Sequence, residues 1–232
     1  MGGLAAGWGV QGVGAAEKPT REMRPCYDFG TMIHQRLVVG AFQCNCHILA
    51  DDKGEAVVID PGDDAEEILE RVKGLKVRYL LHTHCHLDHI TGTRKVAEAT
   101  GAKILIHEND KPLYENLPVQ ARMFGWDVGE PAPIDAALGD SIRFGRHEIQ
   151  VVHTPGHTPG SCCFLFDDRL FSGDTLFQRS IGRTDLWGGD YDQELASIRT
   201  KLFTLEADTV VHPGHGPDTR IREEKEENPF FQ

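Results

Sequence analysis

A concentration of metal-ligand side chains between residues 83 and 89 constrains this chain more than any other feature. The segment reads THCHLDH, so three imidazoles and one carboxylate fall within seven residues. It follows a strand-like apolar run at residues 77–81 and precedes a stretch with helical character. Neutral imidazole and carboxylate are the ligands that suit zinc, iron or manganese. We therefore expect a metal site where a strand ends and a loop turns.

Side-chain alternation predicts how these groups divide. Because alternate side chains of an extended chain share a face, His84, His86 and Asp88 are expected to converge, with His89 pointing elsewhere. A single metal would not be coordinated by all four groups, whereas two adjacent metals could be. The competing interpretation is a polar loop whose histidines bond to the backbone, and the density of ligand types makes it the less favoured one.

Three more strand-like runs each end in a glycine-containing turn that carries a histidine or an aspartate. The turn HTPGHTPG begins at residue 153, SGDT begins at residue 172 and HPGHG begins at residue 212. Ligands mounted on the ends of several strands and fixed by turns suit a rigid metal site. The groups are sufficient for two triads and a bridge between them.

The order HxHxDH, followed by His157, Asp174 and His215, resembles the metallo-β-lactamase superfamily. Within it the chain is most similar to the glyoxalase II (hydroxyacylglutathione hydrolase) branch, from about residue 33 to the tail at residues 228–230. The long members of that branch add a helical region after the last ligand, whereas only 17 residues follow His215 here. The chain therefore resembles the short form, whose substrate assignments are looser.

The resemblance implies a ligand set and a cofactor. Two divalent ions are expected, with zinc favoured and iron or manganese as alternatives. β-Lactamases of the common type have a cysteine at the bridging position and lack one of the second-metal histidines, so lactam hydrolysis is not expected. Seven side chains match the superfamily pattern: His84, His86 and His157 for the first metal, Asp88, His89 and His215 for the second, and Asp174 as the bridge.

The implied chemistry is hydrolysis of a thioester. Two divalent ions about 3.5–4 Å apart can share a water and lower its pKa towards neutrality, so that a bridging hydroxide becomes the nucleophile. Asp88 is the ligand best placed to orient that hydroxide and accept its proton. The expected function is cleavage of S-(2-hydroxyacyl)glutathione, or of a related small thioester, to a carboxylate and a thiol.

Two further residues have competing interpretations. Glyoxalase II enzymes place a basic residue after a glycine to meet the glycine carboxylate of glutathione, and Gly182-Arg183 matches that placement. A salt bridge from Arg183 to Asp185 or Asp190 is the alternative. Asp60, before a Pro-Gly turn, is either a hydrogen-bond acceptor for a ligand histidine or simply a turn-forming residue.

Other activities remain as alternatives on the same residues. A persulfide dioxygenase on this fold uses one iron held by two histidines and an aspartate, and those positions are also present here. A metal-stabilised binding module or redox sensor is the non-enzyme alternative. The complete set of second-metal ligands favours hydrolysis over dioxygenation, and ligands mounted on turns with room for solvent make the binding module or sensor the less favoured alternative.

Alternation of apolar runs with helical patterns predicts an α/β fold. The polar, proline-containing residues 108–140 are predicted to be a loop-rich excursion. Two sheets covered by outer helices, a four-layer αβ/βα sandwich, account for the succession, and the resemblance implies the same fold. Strands are predicted at residues 37–39, 46–50, 56–59, 77–81, 103–107, 142–144, 149–152, 162–166 and 169–171, and helices at residues 65–72, 94–99 and 191–205.

Length, charge and cysteine spacing restrict the domain organisation, partners and compartment that are expected for this chain. The 232 residues, 40% of them hydrophobic, suffice for a single metallo-hydrolase domain at residues 23–232, after an extension at residues 1–22 that is expected to be disordered. A net charge of −12 disfavours nucleic acid, and no run is long and apolar enough for a membrane span. The six cysteines are poorly spaced for disulfides, so a reducing, cytoplasmic location is expected.

Overall fold

The structure, a computed structural model, describes residues 27–28 and 32–232. The extension predicted at residues 1–22 lies outside the described residues, as do residues 23–26 and 29–31 of the predicted domain. The disorder of the extension and the domain bounds therefore stay predictions.

Seven strands form the first sheet in chain order. Strands β1 to β4 pair antiparallel, and β4 to β7 pair parallel. The five strands predicted between residues 37 and 107 all lie in this sheet, although four of them begin one to five residues earlier than expected. The strands are β1 (Tyr27–Asp28), β2 (Met32–Val39), β3 (Cys44–Asp51), β4 (Glu55–Ile59), β5 (Lys76–Leu81), β6 (Lys103–Ile106) and β7 (Ala136–Ala137).

Six strands form the second sheet, in the order β15-β14-β11-β10-β9-β8. All neighbours pair antiparallel except β11 and β14, which are parallel. A separate two-stranded hairpin, β12 and β13, follows β11. The strands are β8 (Ser141–Phe144), β9 (His147–His153), β10 (Cys162–Phe166), β11 (Arg169–Gly173), β12 (Leu176–Phe177), β13 (Ser180–Ile181), β14 (Val210–Pro213) and β15 (Thr219–Arg220).

The three predicted helices are present, and four further helices accompany them. The helix predicted at residues 191–205 is α-helical at first and continues as a π-helical segment, Ile198–Leu202. The helices are α1 (Ala65–Arg71), α2 (Leu87–Ile90), α3 (Thr93–Thr100), α4 (Lys111–Glu115), α5 (Leu117–Met123), α6 (Tyr191–Ser197) and α7 (Ile221–Glu227).

The prediction of a loop-rich excursion at residues 108–140 is wrong where α4 and α5 form. Each of these helices has its proline, Pro112 or Pro118, in the first turn, where the missing N–H leaves no hydrogen bond unmade. Leu113, Tyr114 and Leu117 are buried against the first sheet's core, so tertiary packing stabilises these short helices.

Three buried apolar clusters separate four layers, which confirms the predicted αβ/βα sandwich. Val57, Ile59 and Phe164 belong to the cluster between the two sheets. The intervening Val58 faces the cluster beneath α1 and α3, and Cys163 faces the cluster beneath α6 and α7. Each sheet therefore buries both faces because its side chains alternate between two clusters.

The strands that carry the candidate ligands end at the same edge of the sandwich. Strands β4 and β5 run parallel in the first sheet, and β9, β11 and β14 share one direction in the second. The Cys162 amide donates to the Thr83 carbonyl at 2.7 Å, and the Asn45 amide donates to the Gly214 carbonyl at 2.7 Å. These bonds join the two sheets beside the loops that follow β5 and β14.

No helix in the described part of the chain has the length and apolar character that crossing a bilayer requires.

Candidate metal centre

The ligand-rich segment leaves its strand before the first candidate ligand. Strand β5 ends at Leu81, and helix α2 begins at Leu87. His84 and His86 therefore lie on a loop, whereas Asp88 and His89 lie in a helical turn. The prediction that Asp88 would converge with His84 and His86 by strand alternation is wrong, because this turn places Asp88 beside His89.

Three histidines form the first cluster. His84 Nε2 lies 3.2 Å from His157 Nε2, and His86 Nδ1 lies 2.9 Å from the same nitrogen. All three side chains are buried. His157 arrives on the glycine-containing turn after β9, so the loops of two different sheets meet in this cluster.

An aspartate and two histidines form the second cluster. His215 Nε2 lies 3.1 Å from Asp88 Oδ2 and 3.3 Å from His89 Nε2. His89 Nε2 and Asp88 Oδ2 are 3.8 Å apart. Here the turn after β14 meets helix α2.

Asp174, at the end of β11, lies between the two clusters. Its Oδ2 is 3.7 Å from His157 Nε2 and 3.6 Å from His215 Nε2, and its Oδ1 is 3.4 Å from His89 Nε2. The buried Oδ1 has no hydrogen-bond partner among the described residues. Three overlapping groups of these side chains have the spacing to hold a metal ion. A divalent cation fits this donor set and would satisfy the unpartnered Asp174 oxygen.

Four of the five histidines bond through the ring nitrogen that faces away from the clusters. A proton held on the outer nitrogen leaves the inner nitrogen as a lone-pair donor, the form that binds a metal. The pairs are His84 Nδ1 with Thr83 Oγ1 (3.1 Å), His89 Nδ1 with Asp60 Oδ2 (3.0 Å), His157 Nδ1 with the Arg183 carbonyl (2.7 Å) and His215 Nδ1 with the Gln43 carbonyl (3.3 Å).

Asp60, at the end of β4, connects two of these histidines. Its Oδ2 accepts from His89 and, at 2.7 Å, from the Thr83 hydroxyl. Its Oδ1 accepts from the Thr83 amide at 2.8 Å. Its φ of 52° also places it in a left-handed turn, so both interpretations of this residue from sequence describe it correctly.

The electrostatics of the first cluster favour neutral imidazoles beside an ionised Asp174 carboxylate. Burial, followed by the neighbouring histidines, lowers the pKa of His84 well below its usual value. Burial and then His157 lower the pKa of His86 to about 3. Burial alone would raise the pKa of Asp174, but His89, His215 and His157 outweigh it and lower that pKa. In the second cluster burial is outweighed by Cys44 and the nearby carboxylates, which raise the pKa of His89, and by Asp88 and Asp174, which raise the pKa of His215. A divalent cation bound there would take the place of those protons.

Two buried acids that sequence reasoning missed hold the ligand loops in place. Asp110 accepts from the Cys85 amide at 2.9 Å and the Gly160 amide at 2.7 Å, so one carboxylate ties together the loops that carry His84 and His157. Glu194 Oε2 accepts from the His157 amide at 2.8 Å. Of the two, only Glu194 could have been identified from the sequence, because a charged residue there interrupts the apolar face of its helix.

Close backbone approach explains two glycines that lie against candidate ligands. A Cβ added at Gly214 would lie 2.2 Å from Asp174 Oδ1 and 2.8 Å from His89 Cε1. A Cβ added at Gly62 would lie 1.8 Å from the Asp88 carbonyl oxygen. Both positions require glycine because a larger side chain would displace a candidate ligand.

Arg183 lines a cavity of about 340 Å³ that also borders His86, Asp88 and Asp174. Its guanidinium donates to both Asp185 oxygens, at 2.7 Å and 2.8 Å. The predicted salt bridge to Asp185 is therefore present. The role of Arg183 in binding a substrate carboxylate stays a prediction.

Comparison with known proteins places these observations in a family. Residues 39–215 match the model of the metallo-beta-lactamase superfamily. A Haemophilus influenzae protein named hydroxyacylglutathione hydrolase GloC is 40% identical over 206 residues, which are 83% of this chain and 95% of that protein.

Two solved structures are similar along most of the chain. The crystal structure of the BLEG-1 B3 metallo-beta-lactamase has a TM-score of 0.81 and 38% identity, covering 86% of this chain and 99% of that one. The structure of TTHA1623 in a di-iron-bound form has a TM-score of 0.77 and 37% identity, covering 84% of this chain and 98% of that one.

The bond from Asp60 to His89 gives a test of how the ligands are oriented. In an Asp60→Asn variant one acceptor oxygen becomes an NH₂ group, so the Thr83 and His89 donors can no longer both be satisfied. We expect metal affinity to fall about 10–100-fold, the usual effect of removing an acceptor behind a ligating histidine. Competition titration against a chromogenic chelator measures this change.

The matched control is Asp52→Asn, which removes an exposed carboxylate paired with Arg146 at 3.1 Å and should leave metal affinity unchanged. If a folded Asp60→Asn protein bound metal with wild-type affinity, Asp60 would be only a turn-forming residue.

Proposed function

This chain belongs to the metallo-β-lactamase superfamily, and we propose that within it the protein is a metal-dependent thioester hydrolase of the glyoxalase II type. The substrate is S-(2-hydroxyacyl)glutathione or a related small thioester, which is cleaved to a carboxylate and a thiol. The observation that carries the proposal is the position of Asp174 between a three-histidine cluster and an Asp-His-His cluster. The relative named hydroxyacylglutathione hydrolase supports the choice of substrate.

Each of the two clusters would hold one divalent metal ion. Zinc is expected at both positions, with iron or manganese as alternatives, since imidazole and carboxylate donors accept all three. Asp174 holds the two positions at a fixed separation because its Oδ2 is nearly equidistant from His157 and His215. The ligands are His84, His86 and His157 at the first position, Asp88, His89 and His215 at the second, and Asp174 at both.

Two divalent ions held by these residues would supply an ionised water at neutral pH and would polarise the scissile carbonyl. Asp88 would orient that water and accept its proton. Its side chain borders the cavity and is 18% exposed, and its Oδ2 lies 3.1 Å from His215 Nε2 in the second cluster. Arg183, on the rim of the same cavity, meets the carboxylate of the thiol half in place of Asp185. A thiolate is a good leaving group, so the reaction requires no strong general acid.

A small-molecule thioester is the proposed partner, and a reducing cytoplasm is the proposed location. All five cysteines of the described chain are buried free thiols, which supports a reducing compartment. The net charge of −12 argues against a nucleic-acid partner.

The second cluster favours hydrolysis over persulfide dioxygenation. A mononuclear iron dioxygenase needs two histidines and an aspartate as iron ligands, so the other donors would coordinate no metal. Here Asp88, His89 and His215 converge within 3.1–3.8 Å of one another, as a second set of ligands must.

Metal content and activity, measured on one preparation, test the proposal. We expect two divalent ions per chain, hydrolysis of S-lactoylglutathione and no oxygen uptake with glutathione persulfide. Chelation should abolish hydrolysis and added zinc should restore it. A His215→Ala variant should bind one ion and lose most of its activity. One iron per chain together with oxygen uptake would establish the dioxygenase instead.

Arg183→Ala tests the substrate-binding role of that residue. The Michaelis constant for S-lactoylglutathione should rise about tenfold with kcat unchanged, since a charged hydrogen bond common to ground state and transition state is lost. Arg146→Ala is the control, because Arg146 forms a comparable exposed salt bridge to Asp52. Equal Michaelis constants for Arg183→Ala and wild type would limit Arg183 to its pair with Asp185.

A further inference from the structure

Both polar and apolar side chains line the cavity beside the candidate metal centre. Candidate ligands from both clusters border it, and the remaining lining is mostly apolar. Its volume of about 340 Å³ lies within the range of small-molecule sites. The large apolar side chains in the lining include Phe42, Leu113, Met123, Phe124, Leu186 and Trp187.

Exposed apolar side chains are concentrated at this cavity. Ten large hydrophobic residues of the described chain are exposed, and five of them line it. Met123 is 77% exposed, Trp187 is 57% exposed and Phe124 is 52% exposed. Clustering of this kind beside a polar centre marks a binding surface rather than scattered surface hydrophobicity.

An aromatic cluster holds one wall of the cavity in a defined arrangement. The Phe42 ring, between β2 and β3, packs edge-on against Phe124 with centroids 5.1 Å apart. Its centroid lies 5.3 Å from that of Trp126. Because these contacts link the β2–β3 turn to the end of α5, the wall is formed before any ligand binds.

Among the described residues, the same wall has no polar side chain that is free to bind a substrate. Gln120, its polar member, donates to the Cys85 carbonyl at 3.0 Å and the Leu113 carbonyl at 2.8 Å. Its Oε1 accepts from the Leu87 amide at 3.0 Å. A hydroxyl group on the acyl half of a substrate would lose its water here without gaining a partner, which is unfavourable.

We propose that the wall formed by Phe42, Leu113, Met123 and Phe124 is an acyl subsite, and that the preferred substrates are thioesters with an apolar alkyl or aryl acyl group. The inference rests on the proposed thioester hydrolysis. With the carbonyl at the metal donors, the two halves of a thioester extend to opposite sides. Arg183 is the one lysine or arginine among the described residues that line the cavity, so the anionic thiol half lies on its side and the acyl half lies against the uncharged wall.

A series of glutathione thioesters tests the proposal on the metal-loaded protein. From acetyl to hexanoyl, kcat/KM should rise about threefold per methylene, and hexanoyl should exceed lactoyl, because each added methylene leaves water for the wall. Phe124→Ala should lower the hexanoyl-to-acetyl ratio of kcat/KM about tenfold, and Phe124→Leu should lower it less. Val119→Ala is the control, since Val119 is an exposed residue of the same helix outside the cavity lining.

A binding measurement separates failure of this proposal from failure of the proposed function. Calorimetric titration of the metal-loaded protein with sodium hexanoate and sodium lactate should show tighter binding of hexanoate, whether or not any thioester is hydrolysed. Absence of all thioester hydrolysis would overturn the proposed function, and the calorimetry alone would then decide the subsite.

Two results overturn the acyl subsite. One is a flat or falling acyl series together with hexanoate binding no tighter than lactate. The other is a Phe124→Ala protein whose acyl preference is unchanged while its oligomeric state changes, which would make the patch a contact between copies of the chain.

Discussion

The position of the partly buried Asp174 carboxylate, between a cluster of three histidines and a cluster of Asp88, His89 and His215, is the constraint on which the rest of this structure depends. An ionised carboxylate with an unpartnered oxygen is costly in a protein interior unless positive charge lies beside it. His89, His215 and His157 lower its pKa, and the pKa values of His89 and His215 are raised in turn, yet burial keeps His84 and His86 neutral, so that the positive charge lies on one side only. A divalent cation resolves this imbalance better than a proton does, since it satisfies the carboxylate and the imidazole lone pairs together.

The architecture follows from bringing these groups together. No single sheet could supply them, because the first cluster combines the loop after β5 with the turn after β9, and the second combines α2 with the turn after β14. Buried acids then fix the loops by accepting backbone amides: Asp60 accepts from Thr83, Asp110 from Cys85 and Gly160, and Glu194 from His157. The candidate ligands and the acids that hold the ligand loops thus lie on different elements. This division supports a rigid site, and the apolar rim of the cavity stays open.

Sequence predicted the layers and the candidate ligands because both rest on local signals. Apolar runs ending in His- or Asp-bearing turns identify strand ends, and parallel strand ends share an edge. It failed for α4, α5 and α2, which are too short for helical periodicity and depend on tertiary packing. It also missed Asp110 and Glu194, whose backbone partners lie 25 to 50 residues away, and only Glu194, within the apolar face of its helix, had a local signal. For Arg183, sequence named both interpretations and the structure shows the salt bridge.

Anomalous diffraction from crystals of the metal-loaded protein tests the central claim most directly. The account predicts two peaks about 3.5–4 Å apart, with the Asp174 carboxylate between them, one beside His84, His86 and His157 and the other beside Asp88, His89 and His215. A single peak, with Asp174 or His215 outside its coordination sphere, would contradict it.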